Sequence, residues 1–149
     1  MRDFDRPLDE TGATDSETIG EAMAAGGHIP EMTLCSGAAR ARQTLAGVAA
    51  KTDTGRVVFS DQLYITDAAG YLDMIREQSG ADTLLVIGHN PMMEDLAIAL
   101  SGSGDETALA TLNAGFPTAG LAVVHFEGNL AKAAPGKGRL DAFIAPGDA

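Results

Sequence analysis

The sequence predicts an α/β fold: a three-layer sandwich in which helices flank a mostly parallel central sheet. Three observations predict it. Short apolar runs alternate with helical periods three times between residues 15 and 100, two of the strand-to-helix junctions carry glycine or proline turns, and T-L-L-V-I (Thr83 to Ile87) is continuously apolar, as in a strand buried on both faces. A chain of 149 residues is about one domain's worth, so the whole of 1–149 is read as a single folding unit.

Taken in order, Met1 to Gly12 is charged, contains a proline and has neither helical nor strand period, which predicts a loop. From Asp15 the apolar residues Ile19, Ala22 and Met23 recur at helical spacing and stop at Gly26-Gly27, predicting a helix over Asp15 to Ala25. Met32 to Cys35 is an apolar run after Pro30. Ser36-Gly37 then turns into the alanine-rich stretch Ala38 to Ala50, giving strand, tight turn and helix. Val57 to Phe59 predicts a strand, and Asp67 to Gln78 a helix with Asp67 as its N-cap and Ala68, Tyr71, Leu72 and Ile75 on one face. The buried strand Thr83 to Ile87 leads through G-H-N-P into a helix over Met92 to Leu100, with Pro91 suited to the first helical position. Glu106 to Leu112 reads as a short helix. Gly120 to Phe126 and Leu140 to Ile144 read as strands, with Gly128 to Gly138 as the loop or hairpin between them.

Composition excludes several classes of function. With 10 Lys and Arg against 21 Asp and Glu the net charge is −11, a field that repels nucleic acid and anionic lipid, so neither is an expected partner. A small phosphate can still bind locally, because arginines and helix N-termini act at contact distance while distant charge is screened over about 10 Å. No apolar run approaches the roughly 18 residues of a membrane span. The single cysteine rules out an internal disulfide, and with three scattered histidines it offers no structural-zinc spacing. Without a signal-like apolar start either, the expected location is the cytoplasm.

Chemistry is expected at the carboxyl ends of the parallel strands, where helix N-termini point free N–H groups. After Cys35, the turn S-G-A-A-R puts Ser36 beside the strand end and Arg40 in the first helical turn, able to fold back as a bidentate phosphate clamp, while Arg42 faces elsewhere. After Ile87, the turn G-H-N-P puts His89 before a helix N-terminus that favours an anion, and Gly88 permits close backbone approach. His28, in a loop, and His125, in a late strand, are not expected to act chemically. Cys35 to Arg40 is one residue too short for a cysteine-dependent phosphatase loop, so Cys35 reads as a buried, inert thiol.

Five segments, in order along the chain, resemble the histidine phosphatase superfamily, and specifically the phosphohistidine phosphatases of SixA type. They are D-F-D-R-P-L-D-E-T-G (Asp3 to Gly12), C-S-G-A-A-R-A-R-Q-T (Cys35 to Thr44), D-Q-L-Y (Asp61 to Tyr64), V-I-G-H-N-P (Val86 to Pro91) and G-F-P-T-A-G-L-A (Gly115 to Ala122). The resemblance implies a phosphoglycerate-mutase-like sandwich. It also implies that Arg40 and His89 bind the transferring phosphoryl group, that Arg6 and Ser36 line the same pocket, and that the Phe116 to Ala119 turn, with Thr118 and Ala119, borders it. Gly37 stands where the family usually has proline. The implied ligand is a phosphorylated protein or a small phosphate, and no metal or other cofactor is implied, because a histidine nucleophile with arginine clamps needs none.

The sequence departs from that family at its start. The family opens with an apolar strand ending in Arg-His, whose histidine is the nucleophile, and none of His28, His89 and His125 follows an arginine here. The expectation is therefore an N-terminally truncated histidine-phosphatase-like domain with its first strand absent, either a gap in the sheet between the strands that carry Cys35 and Gly88 or a slot there filled by another segment or chain, and little hydrolysis. The alternative is a nucleophile-free module that binds phosphate or a phosphoprotein.

Overall fold

The computed structural model describes residues 1–78 and 80–148. A 3-10 turn at Asp3–Asp5 precedes helix α1 (Glu10–Gly26), strand β1 (Met32–Cys35), α2 (Ala39–Ala49), β2 (Arg56–Phe59), a one-turn α3 (Gln62–Ile65), α4 (Ala68–Glu77), β3 (Leu84–Ile87) and α5 (Met92–Leu100). Strand β4 (Ser101–Gly104), α6 (Glu106–Asn113), β5 (Leu121–His125) and β6 (Gly138–Ile144) complete the order, with further 3-10 turns at Leu130–Lys132 and Pro146–Asp148.

Local chemistry explains most boundaries. The Asp67 carboxylate accepts the Gly70 N–H at the start of α4, as the capping pattern predicts, and Gly27 ends α1 in the left-handed conformation at φ 72°. The expected opening loop is shorter than predicted. Asp9 caps α1 by accepting the Gly12 N–H at 2.8 Å, so the helix starts at Glu10 rather than at Asp15. Pro91 sits one residue before α5, at its N-cap, instead of at the first helical position. Strand β4, S-G-S-G, has no apolar or β-branched residue to announce it, and forms by pairing in parallel with β6.

Alternation along β1 and β3 builds the layers. Leu34, Leu84 and Val86 point to a core with Leu72 and Ile75 of α4 and Leu96 and Leu100 of α5. Cys35, Leu85 and Ile87 point to the opposite face, where Cys35 and Ile87 cluster with Ala41 and Leu45 of α2 and Leu85 also packs with Ile19 and Met23 of α1. Helices on both faces of a parallel sheet make the predicted sandwich.

The sheet is divided. Strands β2, β1 and β3 form one parallel sheet in that order, and β4, β6 and β5 form a second in which β4 runs parallel and β5 antiparallel to β6. Cys35 lies directly opposite Ile87, so the strands carrying Cys35 and leading into Gly88 are neighbours, and neither the expected gap nor a filled slot lies between them. The interruption lies instead between β3 and β5, the facing edges of the two sheets, which line a common channel of about 690 Å³. This is also why the strand predicted to be buried on both faces is not: in β3 only Ile87 is buried, and Leu84, Leu85 and Val86 remain half-exposed towards the channel.

Candidate functional site

The parallel register brings two strand ends side by side. Ser36 follows β1 and donates its N–H to the Ile87 carbonyl at 3.0 Å, which joins the first turn to the end of β3. The Ser36 hydroxyl, fully buried, accepts the Ala38 N–H at 3.2 Å and lies 2.8 Å from His89 Nε2. A serine at the end of one strand thus fixes the imidazole at the end of the next.

His89 is held from the other side by Tyr71. The Tyr71 hydroxyl accepts the His89 N–H at 3.2 Å and donates to the Leu63 carbonyl, and its fully buried ring leaves no room at residue 88. A Cβ on Gly88 would stand 2.6 Å from the Tyr71 ring and hydroxyl, so this glycine is required by packing. Tyr71 is a residue that sequence reasoning placed in the core without seeing its polar role. Burial, reinforced by the Arg40 charge, holds His89 below the ordinary value of 6.5, with Asp3 pulling the other way.

Arg40 emerges from the first turn of α2, half-buried, and lines with His89 a cavity of about 250 Å³ that runs along β3 between α1, α2 and the turn before β5. Thr118 and Ala119 line the same cavity, Thr118 exposed and Ala119 with a positive φ of 59°, a strained backbone for a residue with a Cβ. Their turn is tied down by two bonds, Asn90 Nδ2 donating to the Phe116 carbonyl at 2.9 Å and the Phe116 N–H donating to Glu94 Oε1 at 2.8 Å. Of the residues expected to gather, Arg40, His89, Thr118 and Ala119 line one cavity, whereas Ser36 does not line it: it is fully buried and reaches the site only through His89. Arg6 is exposed and does not line the cavity, though its charge reaches Asp3.

Sequence reasoning missed Asp3 and Tyr64. Arg40 donates through Nη1 and Nη2 to the two carboxylate oxygens of Asp3 at 3.1 and 3.2 Å, and Tyr64 donates its hydroxyl to Oδ2 at 2.6 Å. These bonds, the Arg40 guanidinium first, pull the Asp3 carboxyl down to about 2. The Tyr64 ring meets His89 and Phe4 edge to face, at 5.2 and 5.1 Å between centroids. Tyr64 belongs to the D-Q-L-Y segment, but nothing local in that segment signals a partner 61 residues away.

Cys35 sits under this site, fully buried, with burial pushing its thiol up to about 12, which leaves it protonated and inert as expected. His28 is half-buried by the channel, and His125 is exposed with Nε2 3.4 Å from Glu127.

The fold superimposes on that of a solved protein of Agrobacterium tumefaciens assigned as a phosphohistidine phosphatase SixA, with a TM-score of 0.81 and 34% identity over 98% of this chain and 87% of that one. The chain belongs to the SixA branch of the histidine phosphatase superfamily. A second SixA structure, from Nakamurella multipartitia, matches with a TM-score of 0.81 and 27% identity, over 98% of this chain and 88% of that one. Among curated proteins, the uncharacterized protein Rv1276c of Mycobacterium tuberculosis is 35% identical over 149 residues, 98% of this chain and 92% of the relative. No family model matches. Among the described residues no helix is long and apolar enough to cross a membrane.

Proposed function

We propose that this domain binds the phosphoryl group of a phosphohistidine protein, or of a small phosphate, at the carboxyl edge of β1 and β3. In this reading Arg40 grips the phosphoryl oxygens, and His89, fixed by Ser36, hydrogen-bonds to them. Arg6 adds charge from the rim, and Thr118 and Ala119 close the far side. The observation that carries it is the convergence of Arg40 and His89, from the turns after two paired strands, on one cavity. Membership of the SixA family supports a phosphate-bearing ligand.

Hydrolysis by a phosphohistidine intermediate needs an imidazole in line with the leaving oxygen. The 149 residues contain no Arg-His pair, and His89 faces the site as a hydrogen-bonding group, so the chain by itself binds far better than it turns over. A second reading is a nucleophile-free phosphate or phosphoprotein binding module, which Arg40 and His89 on one cavity would serve equally.

The test compares the 149-residue chain with one preceded by an apolar strand ending in Arg-His. Vanadate binding and hydrolysis of a phosphohistidine protein and an aryl phosphate are measured on both. The short chain is expected to bind vanadate, lose binding with Arg40→Ala and show negligible turnover, and the extended chain to gain several orders of magnitude in rate. Turnover at a normal enzyme rate by the short chain, abolished by His89→Ala, would make His89 the working nucleophile or acid and overturn the proposed role. A failure of the extended chain to gain activity would favour the binding module.

A further inference from the structure

The guanidinium assigned to the phosphoryl group already holds an anion, and that anion belongs to the chain. Asp3 takes the Nη1 and Nη2 pair of Arg40 in a bidentate bond, receives the Tyr64 hydroxyl at 2.6 Å and lies within reach of the Arg6 charge. A fork of two N–H groups, a hydroxyl donor and a second positive charge are what a phosphoryl oxygen triad requires. Nη1 also donates to the Asp3 main-chain carbonyl at 3.1 Å, so side chain and backbone both cap Arg40.

The segment carrying Asp3 is lightly held. The 3-10 turn Asp3–Asp5 contains no buried residue, and its links to the rest of the fold are the Asp3 bonds and the edge of the Phe4 ring on Tyr64, followed by Leu8 N–H on Gln43 Oε1 at 2.6 Å. The Arg2 to Asp5 ion pair at 2.9 Å lies within the segment and anchors it to nothing else. Few buried contacts make a segment that opens without unfolding the domain.

We propose that Asp3 is a specificity-determining residue for the phosphoryl site: its carboxylate is a built-in competitor that a dianionic phosphoryl group displaces from Arg40 and Tyr64, and that a monoanion does not. This rests on the reading of Arg40 as the phosphoryl clamp. A tethered carboxylate competes at an effective concentration of order millimolar, so a singly charged ligand with no stronger hold on the fork gains little against it. A phosphomonoester dianion brings twice the charge to the same two nitrogens and the same hydroxyl, and wins. Tyr64 then becomes a phosphoryl ligand, and the Phe4 edge moves away with its turn.

The experiment titrates the 149-residue chain with inorganic phosphate above its second pKa and with dimethyl phosphate, a monoanion, for the native chain, Asp3→Asn, Asp3→Ala and Arg40→Ala. Because Asp3 is exposed and no core contact depends on it, circular dichroism is expected to be unchanged in both Asp3 variants. The native chain is expected to bind phosphate and not dimethyl phosphate. Both Asp3 variants are expected to bind phosphate about tenfold more tightly, the gain from freeing a seat taken nine times in ten, and to acquire measurable affinity for dimethyl phosphate. Unchanged or weaker phosphate binding in both Asp3 variants, with Arg40→Ala still losing it, would leave the clamp standing and overturn the competitor. Phosphate binding that survives Arg40→Ala would overturn the clamp itself, whatever the Asp3 variants do.

Discussion

Strands β1 and β3 are adjacent in one sheet, yet they are finished to different degrees. M-T-L-C in β1 is buried at every position, including the polar Thr33, whose hydroxyl donates to the Thr54 carbonyl at 2.7 Å. L-L-V-I in β3 is the more apolar sequence and is mostly half-exposed. β1 has a strand on each side, whereas β3 has β1 on one side and the channel shared with β5 on the other. Apolar sequence states what a strand needs, and its neighbours decide whether the need is met. The carboxyl ends of the two strands show the reverse. There the turns after β1 and β3 are joined by Ser36 and locked by Tyr71, so the polar site is complete at its base while the flank beside it is open.

The comparison makes its largest prediction in the core. Leu34 of β1, 1% exposed, is expected to cost about 2–5 kcal/mol as Leu34→Ala, because its surroundings are packed on all sides. Leu84 of β3 borders the channel and is expected to cost about half as much or less as Leu84→Ala, since the space it leaves is continuous with one already there. Urea denaturation of both variants measures the difference; equal losses would break the contrast between the strands.

A smaller effect is expected at the joint. Gly88→Ala drives a methyl group against the immobile Tyr71 ring and is expected to cost about 1–3 kcal/mol and to weaken phosphate binding, because relief comes only by shifting His89. Tyr71→Phe keeps the ring and leaves the His89 N–H without its acceptor, so it is expected to weaken phosphate binding while costing less than Gly88→Ala. A Gly88→Ala protein as stable as the native one would show that Tyr71 does not set the position of this turn.

The smallest effect is in pH. His89 is held below 6.5 in the folded chain, so the unfolded chain takes up a proton first as pH falls. Stability is therefore expected to decline as pH drops through about 6.5, and the decline to shrink in His89→Asn. Asp3 adds the same sign much lower: its contribution is present above 3.8 and disappears as pH falls towards 2. Thermal unfolding between pH 7 and pH 5 separates the two, and a native profile identical to that of His89→Asn would remove the burial account of His89.

How much of this was legible in the sequence follows range of interaction. Elements set by neighbours in the chain were readable: Met32–Cys35 and Met92–Leu100 from apolar runs and turns, and the α4 cap from Asp67. The early start of α1 was readable in principle from Asp9, three residues before Gly12, but the charged composition of that stretch masked it. Strand β4 had no local signal at all, since glycine and serine form it only because β6 lies beside them. In the site, Arg40 and His89 were legible because each sits one turn beyond a strand. Asp3 and Tyr64 were not, because their bond spans 61 residues and depends on how the opening segment lies across α2.

The central claim is that the turns after β1 and β3 serve one anion. Titrating isotopically labelled protein with inorganic phosphate while following the Arg40 side-chain Nε–H and the His89 ring by NMR tests it most directly. The account predicts that both signals move along one saturation curve with a common Kd, and that Arg40→Ala abolishes the His89 response. Independent curves, or a His89 ring that does not respond while Arg40 does, would contradict it.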